Sequence, residues 1–160
     1  MNSRVYTVAF ENVAISAAQD LFEFSPADDK PIELLDMKAS NVGGTADAGD
    51  AQEELLRLLV RRGHTVSGSG GSAPTPRPAD RSGSAAGFAA EVNNTTVANT
   101  GTTHDYDTDG WNIRIPYRMT WLPNCPVIAS QADTTLVIRL VAAPADSVNC
   151  SGVAYVGEVG

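Results

Sequence analysis

Between residues 111 and 121 the chain reads WNIRIPYRMTW, with apolar and polar positions alternating throughout. Trp111, Ile113, Ile115, Tyr117, Met119 and Trp121 fall on one side of an extended chain, and Asn112, Arg114, Pro116, Arg118 and Thr120 on the other. A period of two is that of a β-strand with one buried face, and it excludes a helix there. Pro116 has no N–H for a ladder and sits on the outward phase, which suits an edge or a bulge. Similar patterns recur. RVYTVAF (4–10) is β-branched and aromatic, and QDLFEF with PIELLDMKA predicts two strands paired around the turn SPADDKP. TTLVIRLVAA (134–143) is nearly all apolar, as for a strand covered on both faces. SGVAYVGEV (151–159) alternates again, and PADSVNC predicts a compact hairpin connection between these two. A short strand is expected at 94–98. Six or seven strands separated by turn residues predict an all-β fold, a β-sandwich or jelly roll.

One segment is ambiguous. AQEELLRLLVRR (51–62) has a helical composition, and Leu55, Leu58, Leu59 and Arg62 would share a helical face. As a strand, it would turn Leu56, Leu58 and Val60 inward and Arg57 and Arg61 outward, with Leu55 and Leu59. Propensity favours helix. The strand is the working expectation for 52–62, because the flanks are loop-like, the context is all β, and tertiary pairing overrides propensity.

TVSGSGGSAPTPRPADRSGSAAGF (65–88) reads at first like a tether between domains. Either half of a 160-residue chain would bury little surface alone, and isolated sheets of a few strands are marginal. Strands from both halves are therefore expected to pair in one domain, 1–160, with 67–88 as a long extended loop inside it. Its Gly/Ser part reads as flexible and APTPRPA as stiffer. Lengthening a loop costs only about 0.6 kcal/mol per doubling. Such a segment suits contact with a neighbouring subunit and ordering on that contact.

Apolar residues make up 42% of the chain, which fits a globular fold. Eleven basic against 19 acidic residues leave a net charge of −8, which argues against nucleic acid and against an anionic membrane surface. The N-terminus, interrupted by Glu11 and Asp20, carries no uninterrupted apolar run, so a soluble protein made without a secretion signal is expected. Cys125 and Cys150 form no CxxC and no cluster with histidine, and read as small buried thiols, with a disulfide as the alternative.

Candidate chemistry is sparse. HDYDTDG places Asp105, Asp107 and Asp109 at alternate positions before Gly110, the spacing of a calcium loop. Pro116 stands where that loop needs its bidentate glutamate, so an acidic turn leading into a strand is the expectation and no metal site is assigned. His64 and His104 are the only histidines, and no GxSxG elbow accompanies them. SGSGGS lacks the lysine of a phosphate loop, and LPNCPV around Cys125 reads as a structural turn. Arg114 and Arg118 read as solvated face charges, and Trp111 and Trp121 as core filling. No catalytic residue and no cofactor are expected.

The stretches VYTVAFENVAISAAQDLFEFSPADDKPIEL, GSGGSAPTPRPAD, FAAEVNNTTVA, TTLVIRLVAAPADS and GVAYVGEVG resemble a group of small virion-associated proteins of tailed bacteriophages, most like capsid decoration (cement) proteins. The resemblance spans nearly the whole chain and carries no catalytic signature. It implies a non-enzymatic β-rich subunit, made in the host cytoplasm and residing on the capsid surface. There it would bridge major capsid subunits and neighbouring copies of itself as a homotrimer. The 65–88 loop and the residues before Val5 would make contact. A tail or baseplate adaptor, a receptor-binding component, and a glycan- or calcium-binding jelly-roll module are the alternatives.

Overall fold

β1 (Arg4–Ile15) and β11 (Val148–Glu158), from opposite ends of the chain, lie antiparallel side by side, Tyr6 opposite Val156 and Val8 opposite Ala154. The remaining strands are β2 (Gln19–Ser25), β3 (Ile32–Asn41), β4 (Leu55–His64), β5 (Arg77–Pro78), β6 (Ala89–Asn94), β7 (His104–Asn112), β8 (Tyr117–Thr120), β9 (Val127–Ala129) and β10 (Thr135–Leu140). This computed structural model describes residues 4–41, 54–122, 127–131 and 135–160, and among them there is no α-helix. Sheet A runs β5-β1-β11-β3-β8, with β9 also on β3; sheet B runs β6-β2-β10-β4-β7. All pairings between these strands are antiparallel. Leaving out β5, β6 and β9, the two sheets are β1-β11-β3-β8 and β2-β10-β4-β7, the two interlocked Greek keys of a jelly roll.

The core forms where the inward phases of the two sheets meet. Tyr6, Val8, Leu34, Met37, Ala154 and Val156 come from sheet A, and Phe22, Phe24, Leu58, Val60, Leu136 and Ile138 from sheet B. Phe10 and Phe22 meet across the sandwich with ring centroids 5.3 Å apart. Phe88 closes one flank, edge-on to Tyr6 at 5.6 Å and to Phe24 at 6.2 Å.

The winding explains which sequence expectations hold. The 51–62 ambiguity resolves as strand over its described part: β4 turns Leu56, Leu58 and Val60 into the core and Arg57 and Arg61 outward. Five local readings are corrected. The strands at 19–24 and 31–39 do not pair with each other, nor do β10 and β11, because each connection crosses from one sheet to the other. WNIRIPYRMTW is not one strand: β7 ends at Asn112 in sheet B, a turn follows, and β8 starts at Tyr117 in sheet A. Ile115, in that turn, is exposed instead of inward. HDYDTDG is strand and not turn, because β4 offers it a full edge to pair with. The short strand expected at 94–98 lies at β6, upstream.

The 65–88 stretch leaves β4 and returns through β6 and β7 to the same sheet, so it is no interdomain tether. It is also not free-running. Ser69 and Thr96 exchange backbone hydrogen bonds of 2.8 and 2.9 Å, and Ser72 exchanges two with Val92. A Cβ on Gly71 would sit 2.0 Å from the Val92 carbonyl oxygen, so the glycine-rich composition serves close backbone approach. Arg77–Pro78 then adds a short strand to β1.

Replacing Phe22, fully buried between the sheets, by alanine is expected to destabilise the protein by about 3–5 kcal/mol. The check is a urea transition whose midpoint falls while its slope is unchanged.

Candidate functional site

The densest polar chemistry lies on the outer face of sheet B, where residues 65–72 and 95–103 form a strap. Asp20 of β2 is completely buried, yet it points away from the core, because a register shift beside Ile138 and Arg139 changes the phase of its strand. Arg139 of β10 answers it through two hydrogen bonds of 2.5 and 3.1 Å. The Ala98 N–H donates to the same carboxylate at 2.7 Å, and Arg139 Nη2 donates back to the Ala98 carbonyl at 2.8 Å. One strap residue is thus gripped from both sides. Glu23, also buried, accepts from the Gly68 N–H at 3.0 Å and from Asn94 Nδ2 at 3.1 Å. Beneath the strap, the outward residues Leu59 and Val137 are buried as well.

At the root of the strap the two limbs cross at backbone distance. A Cβ on Gly63 would lie 2.1 Å from the Thr102 carbonyl oxygen, and one on Gly101 would lie 2.2 Å from that of Gly63. Both glycines have positive φ, +99° and +86°. Between them Thr100 holds φ +56°, a left-handed conformation that is strained for a β-branched residue. Its hydroxyl lies 2.7 Å from that of Thr65, and its carbonyl oxygen lies 3.3 Å from His64 Nδ1. Burial, and next the positive charge of Arg139, hold the His64 imidazole below its ordinary value.

The three aspartates of β7 do not converge. A register shift separates Asp105, opposite Arg61 on the outer face, from Asp107 and Asp109, opposite the inward Val60 and Leu58. Arg61 binds Asp105 at 2.5 and 3.1 Å and holds its carboxyl below the usual range. Asp109 accepts from the Tyr117 hydroxyl at 3.0 Å, and burial followed by that bond pushes the Tyr117 phenol up. Among the described residues, no three His, Cys, Asp or Glu side chains come together as metal ligands would. His104 is exposed at the start of β7, opposite Arg62 and away from any nucleophile. Cys150 carries a free thiol that burial pushes up to about 12, while Cys125 lies outside the described residues, as do residues 1–3. Trp111 is buried and donates to the Ile115 carbonyl at 2.9 Å, and Trp121 packs on the core edge. Arg118 is bound to Asp36 on the outer face of sheet A, and Arg114 lies in the exposed turn. The strap's cluster was missed from sequence because its members are scattered from Asp20 to Arg139. Polar residues inside the β2 pattern (Gln19, Asp20 and Glu23 among Leu and Phe) were the one available signal.

A trough of about 630 Å³ lies on sheet A, lined among others by Phe10, Ser151, Ser40, Tyr117, Lys38 and Arg118. Lys38 stands over the Tyr155 ring at 5.6 Å, and Arg118 is already paired with Asp36.

Removing Arg139 by Arg139→Ala strands the Asp20 charge and is expected to lower stability by about 3–5 kcal/mol. Asp105→Asn, which breaks an exposed pair, is expected to lower it by less than about 1 kcal/mol. Chemical denaturation of both variants checks the contrast. Cys150 is expected to resist alkylation at neutral pH until the protein unfolds, which mass analysis of native and denatured samples tests.

No protein-family description matches the chain, and no curated protein does. Among solved structures, a chain from T=1 particles derived from infectious bursal virus aligns with 98% of this chain at 13% identity and a TM-score of 0.13. The aligned part spans 40% of that viral chain, and a likeness at this level carries no argument about fold or role.

Proposed function

We propose that the protein is a non-enzymatic structural component of a tailed-phage virion, decorating the capsid shell by binding major capsid subunits and neighbouring copies of itself. The observation that carries this reading is the jelly-roll winding itself, an architecture used by viral capsid domains, in a body whose buried ionisable groups are spent on holding its own strap. Fold alone does not assign function, since lectins and cupins share this winding. The sequence resemblance to virion-associated proteins separates the readings. The trough on sheet A gives a partner a surface to meet. Many weak contacts of one such face on a repeating shell would add through multivalency.

The purified protein is expected to cosediment with DNA-filled heads that lack tails. On those heads the exposed bond after Arg81 should be cut by trypsin more slowly than in the free protein. Arg77 is not informative, since Pro78 follows it and makes that bond resistant. No cosedimentation, or binding only to tails, would sink the shell assignment.

A further inference from the structure

We propose that His64 is an acid-operated latch: protonation of its ring opens the root of the strap, the paired limbs 65–69 and 96–101, while the sandwich stays folded. His64 is the last residue of β4 and only 4% exposed. Its Nδ1 faces the Thr100 carbonyl, which can only accept, so the neutral ring carries its proton on Nδ1. Nε2 then holds a lone pair, buried and without a partner. A buried lone pair is tolerable. A second proton there creates a cation whose new N–H has no acceptor, and burying such a group is strongly unfavourable.

The surrounding charges reinforce this. Arg139 of β10 and Arg61 of β4 oppose protonation, and Asp20 of β2 favours it, but Asp20 is already engaged by Arg139. The ring is therefore neutral in the closed root and titrates below 6.5 there. In the opened root it meets water and takes its proton near 6.5. The closed root thus keeps its full stability above that pH and loses it progressively as the pH falls from there. Opening is local because the ring's bond is to the strap, and because it lets the left-handed Thr100 relax.

The limb amides of Val66, Ser69, Thr96 and Asn99 hydrogen-bond across the root and report its opening. Their hydrogen-exchange protection, corrected for intrinsic rates, should fall about three- to tenfold between roughly pH 7.5 and 5.5, relative to the amides of β1 and β11. About tenfold is the ceiling, since an exposed imidazole one pH unit below its midpoint is protonated about ten to one. His64→Gln, which cannot titrate, should abolish the fall. No fall in the wild type, an equal fall in β1 and β11, or an unchanged fall in His64→Gln each overturns the latch. Should His64→Gln fail to fold, the ring titration of His64 followed by NMR in the wild type decides. A midpoint at or above 6.5 overturns the proposal, and one clearly below supports it.

Discussion

A carboxylate withdrawn from water must be answered by a cation or by N–H groups, and Asp20 is answered by both. Its partners, Arg139 and the Ala98 amide, come from a neighbouring strand and from the excursion that lies over the sheet. This arrangement determines where the excursion lies. With Ala98 gripped and Gly68 tied to Glu23, the limbs 65–72 and 95–103 lie on sheet B, and Leu59 and Val137 can be apolar on an outward phase. A central strand that reads as apolar on both sides, β10, follows from having a cover on its outer face. The charge pair by itself is no guarantee of stability, since apolar replacements of buried pairs are often neutral. What it supplies is position.

Several features were readable from residues alone because their physics is local. The inward set Leu56, Leu58 and Val60 follows from period two, and the β class follows from turn residues recurring between β-branched runs. The pairing expectations fail for one reason. Adjacent strands in sequence usually pair, and in a jelly roll they cross to the opposite sheet instead, so β2 with β3 and β10 with β11 were joined wrongly. The polar cluster under the strap was illegible for a different reason. Asp20, Glu23, Asn94 and Arg139 acquire meaning only once β2 sits between β6 and β10. His64 was visible as a histidine, but the proximity of Thr100 depends on the crossing at Gly63 and Gly101.

The two broad faces of the sandwich differ accordingly. Sheet B is covered by its own chain over β2 and β10, while its outer face stays exposed beside β7, at Arg57, Asp105 and Thr108. Sheet A carries Thr7, Val153, Lys38 and Arg118 outward. A body built this way is asymmetric in what it can offer. One face holds the molecule together, and the other is left for whatever the molecule meets.

The strap also bears on how copies of the protein can grow into larger aggregates. Unpaired strand edges are templates for endless stacking. Here Ser72 pairs with Val92 on the free side of β6, and β5 pairs with Tyr6 and Thr7 of β1, so each sheet is partly blunted on one flank. On the other flank, among the described strands, β8 and β9 are short, and β7 carries three aspartates. Fibre growth needs a sticky edge on each side of every unit. With one flank partly covered, edge-to-edge joining is least hindered on the other, where it would have to bring two rows of negative charge together. The path of one loop thus works against open-ended stacking of copies.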